Sequence, residues 1–368
     1  MLHKKVSLHF VLILYLFTLN CQFDRSEKRT NQEQHENSNK VEVAFTGKLK
    51  VLTLNTWHEG TKVSGGVNAI AEVIAQTNAD IVALSEIMNN DNTVFSSRIV
   101  EALKTFGKTY HSFNSGKSPI ILSKFPMVSE PILNSPYLVK CVIKLTEDKL
   151  LTMYSAHLDY THYACYLPRG YDGITWGKLP EPVTDLNTIL EQNLGSNRDE
   201  AIDLFVNNAK SERNKGNMVI LAGDFNEPSH LDWIEETKNL FDHNGTVVPW
   251  QNSSTLQTEG YLDAYRVKYP NPVTHPGFTW PAFNTLVPLS KLVWAPDADD
   301  RDRIDFVYYN DDAFMSLDDI IIVGLSGSIV RGEGIEDTEF QDKFLLTKGV
   351  WPSDHKGILA TFKTNSFD

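Results

Sequence analysis

The sequence predicts an α+β domain built in layers, and three observations lead there. From Gly47 to about Phe362, short apolar runs are punctuated by turns. Segments with helical spacing lie between several of these runs, as expected where sheets and helices alternate. Thr146-Glu147-Asp148-Lys149 joins two strand-like runs directly, and a join that short makes an antiparallel hairpin, so a purely parallel sheet is excluded.

In chain order, the strand-like runs are Leu49–Leu54, Ile81–Ser85, Ile120–Ser123, Leu138–Leu145, Leu151–His157, Met218–Ala222, Ile304–Tyr309 and Gly357–Phe362. Gly66–Thr77 carries Val67, Ile70, Val73 and Ile74 at helical spacing, and Ser96–Phe106 and Asn197–Ala209 behave alike. Residues 159–196 and 243–300 read as long loops, and no internal repeat is visible.

The front of the chain has a different texture. Lys4 and Lys5 precede the apolar run Phe10-Val11-Leu12-Ile13-Leu14-Tyr15-Leu16-Phe17, followed at once by Thr18-Leu19-Asn20-Cys21. This is the pattern of a secretory signal peptide, and the apolar run is short for a membrane span. A cysteine in that place resembles the bacterial lipoprotein signal, in which it is lipidated and becomes the new N-terminus, although Asn20 stands where a small residue is usual. The expectation is therefore a leader over 1–21, a membrane anchor on Cys21 and a polar tether over 22–46. A single domain follows over 47–366, exported from the cytoplasm, with plain periplasmic or extracellular secretion as the alternative to anchoring.

With 368 residues, 41% of them hydrophobic and 22% charged, the chain is long and apolar enough for a sizeable core. Three cysteines do not make a disulfide framework; Cys141 and Cys165 are free to pair in an oxidising compartment, but nothing in their spacing requires it. A formal net charge of −13 disfavours non-specific binding to nucleic acid, which needs Lys and Arg against phosphates.

Polar residues recur where apolar strands stop. Asn55 ends Lys50–Leu54, Glu86 ends Asp80–Ser85, His157 ends Leu151–Ala156, and Asp224 and Asn226 end Val219–Gly223. Asp305 sits inside Arg303–Tyr309, and Asp354-His355 precedes the last strand. Singly, each has a plain structural explanation: Asn55 starts a turn, Glu86 lies on a solvated edge, His157 is a satisfied core histidine, and Asp224 and Asn226 bond their own backbone. Asp305 is harder to explain so, because an acid in an apolar strand is costly unless paired. Strands converging at one rim would gather the whole set into a cleft.

In this ordered set the sequence resembles the endonuclease/exonuclease/phosphatase superfamily. The resemblance runs from about Lys48 to Phe362 and rests on Leu54-Asn55-Thr56-Trp57, Leu84-Ser85-Glu86-Ile87, Ile121–Pro126, Ala156-His157-Leu158, Gly223-Asp224-Phe225-Asn226, Arg303-Ile304-Asp305-Phe306 and Ser353-Asp354-His355. Stretches around Tyr163–Trp176, Asn226–Trp233, Pro272–Trp280 and Val350–Gly357 look like a subgroup of secreted bacterial members. Two positions depart from the usual pattern: Ser85 replaces a Gln before the metal-binding Glu, and Gly357 replaces a proline after the last histidine.

The resemblance implies a deoxyribonuclease-like four-layer α/β-sandwich, two packed mixed sheets flanked by helices. It implies a Mg²⁺- or Mn²⁺-dependent phosphoesterase, a phosphodiesterase or phosphatase that hydrolyses its substrate with activated water. By this resemblance Glu86 is the principal metal ligand, supported by Asn55 and Asp354, and oxygen ligands suit such hard cations. Asp224 would orient or deprotonate the water, Asn226 would bond a phosphoryl oxygen, His355 would contact the phosphate while held by Asp305, and His157 would add a second donor.

The loop after His157 is rich in aromatic residues, and Tyr166 and Trp176 are expected to stack on substrate while Arg169 binds a second anionic group, with packing against the sheet as the alternative. His58 would line the opposite side. The acidic run Asp297–Asp302 reads as a solvated loop. Three function classes remain open on sequence: a phosphodiesterase or phosphatase outside the cytoplasm, a secreted nuclease on DNA or RNA, and a non-catalytic binding lipoprotein.

Overall fold

The computed structural model describes residues 44–113, 119–129, 133 and 135–365. The leader, Cys21 and the tether up to residue 43 lie outside the described residues. Glu42–Asp368 makes one compact unit, and among the described residues no helix is long and apolar enough to cross a membrane.

Strands β1 (Lys48–Asn55), β2 (Ile81–Ser85), β3 (His111–Phe113) and β4 (Ile120–Ser123) belong to one sheet. Strands β5 (Met127–Ser129), β6 (Leu138–Lys144), β7 (Leu150–His157), β8 (Met218–Asp224), β9 (Tyr261–Asp263) and β10 (Asp305–Asn310) make a second. Strand β11 (Met315–Val323) returns to the first sheet, β12 (Gly327–Val330) and β13 (Glu333–Glu336) pair as a separate hairpin, and β14 (Phe344–Leu345) and β15 (Gly357–Thr364) complete the first sheet. The sheet orders are β14-β11-β15-β1-β2-β4-β3 and β5-β6-β7-β8-β10-β9. Both are mixed: β1 and β2 are parallel, as are β7 and β8, while β6 and β7 form the antiparallel hairpin legible in the sequence.

Side-chain alternation sorts the residues into layers. Val51, Ile81, Ala83, Ile220, Ala222 and Val307 point between the sheets. Leu52, Leu54, Val82 and Leu84 face the other way, against Ile70 and Ile74 of helix α1 (Gly66–Thr77) and Ile99 and Leu103 of helix α2 (Phe95–Thr105). On the second sheet Tyr154, Val219, Leu221 and Phe306 face outward, and the helix over Arg198–Asn214 covers them with Ile202 and Phe205. The order is helix, sheet, sheet, helix, the four-layer sandwich expected from the sequence.

The two segments read as loops hold further elements: α3 (Leu186–Asn193), with α4 (Arg198–Asn214) directly after it, then α5 (Gln251–Thr258) and α6 (Ala264–Lys268). Asp263 caps α6 by accepting from the Tyr265 and Arg266 amides. Around the loop after β7 a separate aromatic cluster forms from Tyr163, Tyr166, Tyr171, Trp233, Trp250 and Trp280. Cys141 and Cys165 are both free and buried, one between the sheets and the other in this aromatic cluster.

Apart from the exposed Asp297, the acidic run 297–302 is not a solvated loop. Asp299, Asp300, Arg301 and Asp302 are all buried, because each finds a partner that a local reading of the sequence does not reveal. Arg301 bonds Asp299 and Asp337, and Asp337 in turn holds the buried Lys356. Asp302 takes Arg169. Asp300 has only the Tyr166 hydroxyl, 3.1 Å away, and its other oxygen has no partner. Burial pushes the Asp300 carboxyl up to about 7, with Asp299 adding repulsion.

A carboxyl whose folded pKa lies above its unfolded value of about 3.9 loses stabilisation as pH rises between the two. Asp300→Asn removes that titration, so its melting temperature relative to wild type should climb from pH 4 to pH 7 and level off above. A difference that does not change with pH contradicts this assignment.

Candidate active site

The alternation that builds the core also builds the site. Asn55 continues the inward series Leu49, Val51, Thr53, Asp224 continues Met218, Ile220, Ala222, and His157 continues Leu151, Met153, Ser155, while Asp305 precedes Val307 and Tyr309. Each therefore ends an inter-sheet row with a polar side chain. Register aligns them across the second sheet, where Asp224 lies opposite His157 on one neighbour and Asp305 on the other. Glu86 follows Ser85 by one residue and would fall on the wrong face, but its φ of 59° ends β2 and turns the side chain back to Asn55.

Asn55 joins the two sheets. Its Nδ2 donates to Glu86 Oε1 at 3.0 Å and to Asp224 Oδ2 at 2.9 Å, while its Oδ1 accepts from the Trp57 amide at 2.9 Å. Asp224 Oδ1 accepts from the Asn226 amide at 2.9 Å. His355 Nε2 lies 3.9 Å and His157 Nε2 4.0 Å from Asp224 Oδ2. On its other side, His355 Nδ1 donates to Asp305 Oδ2 at 2.9 Å. Two groups to which the sequence reading gave no role hold this frame. Ser353 Oγ donates to the Asn55 carbonyl and accepts from the His355 amide, and Thr279 Oγ1 accepts from the Ile304 and Asp305 amides.

Charge follows from this packing. Burial works against a charged His355, but Asp305 and Asp224 outweigh it and push the imidazole up to about 10. Burial raises the Asp224 carboxyl, with Asp305 adding to the rise and His355 opposing it. Burial also acts to raise Glu86, yet His157, His355, Asn55 and His58 together bring it below the usual carboxylate range. The site thus holds an imidazolium between two acids, with a carboxylate at its mouth.

Asp354 tests whether a cation fits. Burial, with the repulsion of Glu86 added, pushes its carboxyl up to about 7, and its Oδ1 is buried with no hydrogen-bond partner. An orphaned oxygen facing a second carboxylate is the donor set a hard divalent ion takes. Asp224, Asp305 and His355 also bring ligand atoms within 4.8 Å of one another. There, however, Asp305 takes the His355 Nδ1 proton and, with Asp224, holds the imidazole protonated, so Nε2 carries a proton and has no lone pair for a cation. Glu86 and Asp354, with the Asn55 side chain beside Glu86, are the groups left that could hold a cation.

The aromatic loop after β7 is packed rather than open at Tyr166 and Arg169. Tyr166 is fully buried, its hydroxyl on Asp300. Arg169 is buried with its guanidinium on Asp302 and on the Arg301 and Phe241 carbonyls, over the Trp233 ring. Neither reaches the cleft, so both corrections favour packing over substrate contact. Trp176 is half-buried, stacked on Tyr163 and touching the exposed Trp294. A line of ring contacts runs from His355 through Trp280 and Tyr163 to Trp176. His58 stands at the mouth, its amide 2.9 Å from Glu86 Oε2 and its imidazole half-exposed. Ser85, which replaces the usual Gln, leaves its hydroxyl buried and unpartnered.

The chain is thus a two-sheet sandwich with acid, imidazole and acid lined up at one rim, next to an orphaned carboxylate. The sequence model of the "Endonuclease/Exonuclease/phosphatase family" matches residues 52–355, and the chain belongs to that family. An uncharacterised protein of Caenorhabditis elegans is 27% identical over 352 residues, which span 96% of this chain and 98% of the relative. Among solved structures, an endonuclease/exonuclease/phosphatase from Beutenbergia cavernae aligns at a TM-score of 0.48 and 15% identity, covering 86% of this chain and 72% of that one. Truncated TDP2 of Caenorhabditis elegans aligns at 0.45 and 17%, covering 86% and 97%.

Proposed function

We propose that the protein is a divalent-cation-dependent phosphoesterase that cleaves a phosphodiester with water held at Asp224. The observation that carries this reading is the seating of Asp224, buried between Asn55, at the end of β1, and the pair that His355, just before β15, makes with Asp305 of β10. Asn226 and Asn55 fix the carboxylate, so that it would hold an attacking water against the phosphate. His355, held protonated by Asp305, and His157 present donors where negative charge develops on the phosphoryl oxygens. Glu86, Asp354 and Asn55 would hold Mg²⁺ or Mn²⁺, which when bound neutralises the phosphate and the leaving oxygen.

Several features support a small or lipid-derived ester over a polynucleotide. Arg169, Arg198, Arg266, Arg301 and Arg303 are all buried, each committed to carboxylates or carbonyls of the protein. The charge of −13 agrees with this. Export, with Cys21 as anchor, is part of the same proposal and rests on the leader sequence.

The test is a panel of phosphomonoesters, phosphodiesters, sphingomyelin, inositol phosphates, DNA and RNA, assayed with Mg²⁺ and with Mn²⁺. Hydrolysis of a non-nucleic diester is expected, and Glu86→Ala should lose activity and metal response together. Preferential, salt-sensitive hydrolysis of DNA or RNA would assign the nuclease reading instead, and hydrolysis of none would leave a binding protein.

A further inference from the structure

Directly after Asn55 the backbone adopts a conformation that L-residues avoid. Trp57, His58, Glu59 and Gly60 all take positive φ, at 46°, 56°, 62° and 68°. Together they form one left-handed turn, closed by the Gly60 amide on the Thr56 carbonyl at 2.6 Å. Only Gly adopts this region without strain, so three non-glycine residues in a row persist only where their surroundings enforce it.

Glu59 supplies much of that enforcement. Its side chain is fully buried, and its carboxylate accepts from the Met88 amide at 2.9 Å, the Asn89 amide, Asn90 Nδ2 at 3.3 Å and the Arg98 guanidinium. Its own amide donates to the Glu86 carbonyl at 3.2 Å. Gly60 and Gly66 are in contact too closely for a side chain on either. The turn is thereby clamped to the segment that follows β2 and carries Glu86.

The clamp determines two contacts in the site. The Trp57 amide donates to Asn55 Oδ1, which leaves Asn55 Nδ2 for Glu86 and Asp224, and the His58 amide donates to Glu86 Oε2. Both donors lie inside the left-handed turn, and neither reaches its acceptor if the turn relaxes. Glu59 touches neither the His355–Asp305 pair nor any group assigned to the phosphate.

We propose that Glu59, with Arg98, is a positioning residue that sets the Asn55 amide and the Glu86 carboxylate for the cation by holding the 57–60 turn in its left-handed form. This rests on the metal-dependent reading above. Outer partners of this kind typically govern metal affinity by about 10–100-fold.

The experiment is Mn²⁺ binding to the full chain, read from the resonance of free Mn²⁺, for wild type, Glu59→Gln and Arg98→Met, alongside turnover at saturating Mn²⁺. Glu59→Gln is expected to raise the Mn²⁺ dissociation constant by about 10–100-fold with turnover recovered at saturation, and Arg98→Met to shift it less, in the same direction. Should Glu59→Gln not fold, Arg98→Met carries the test, since it leaves the amide bonds to Glu59 in place. Unchanged Mn²⁺ affinity in folded variants, including variants that merely lose turnover, overturns the inference and leaves the metal reading standing. Absence of Mn²⁺ binding by wild type overturns both.

Discussion

Replacing Asp224 by Asn is expected to lower turnover by about 10²–10⁴-fold while the protein keeps its fold, because the substitution preserves volume and removes the charge that orients water, together with one of the two acceptor oxygens that Asn55 and the Asn226 amide use. Stability should change little, because relief of the buried charge is offset by the donor, Asn55 Nδ2 or the Asn226 amide, that loses its acceptor. Burial lifts the Asp224 carboxyl above its ordinary value, so the ionised form costs the folded state free energy that the neutral amide does not. Such a cost is common where a side chain is placed for chemistry. The check is a turnover number together with a thermal melt. Near-wild-type turnover would remove Asp224 from the mechanism, and a large drop in melting temperature would make it a structural group.

The second large effect concerns Arg169, and here sequence and structure point to different experiments. As a substrate-binding group, its loss would raise KM and leave stability alone. In the structure Arg169→Ala instead strands Asp302, buried with bonds from the Arg169 guanidinium and the Trp233 indole. Breaking a buried pair from one side costs about 3–5 kcal/mol. Arg169→Ala should therefore lower the denaturation midpoint sharply. Arg169→Met with Asp302→Asn should recover part of the loss, since no charge is left unpaired. A stable Arg169→Ala with a raised KM would restore the role suggested by its sequence.

These two residues mark where sequence reasoning holds and where it fails. Asp224, Asp305, His157 and Asn55 are legible because they extend apolar rows of period two, so the periodicity that identifies a strand also identifies the face on which its last residue lies. The direct hairpin and helix α1 are legible for equally local reasons. Arg169 and Asp302 meet across a long stretch of intervening chain, and no local pattern distinguishes a buried Asp in an acidic run from a solvated one. Strand β11 escapes notice because Asp318 and Asp319 interrupt its pattern. The register with β15 shifts between Leu317 and Asp319, and Asp318 turns to Lys48 and Lys363. The left-handed turn at 57–60 is invisible for the opposite reason, since Trp57, His58 and Glu59 are not residues that announce positive φ.

The central claim is that Asp224 and a cation bound at Glu86, Asp354 and Asn55 together hydrolyse a phosphoester. Its most direct measurement is the initial rate of bis(4-nitrophenyl) phosphate hydrolysis by the full chain after chelator treatment, before and after Mg²⁺ or Mn²⁺ is restored, in parallel with Asp224→Asn. The expected result is hydrolysis abolished by chelation and recovered with the cation in wild type, but not in Asp224→Asn. Hydrolysis that persists without the cation, or proceeds equally in the variant, would contradict it.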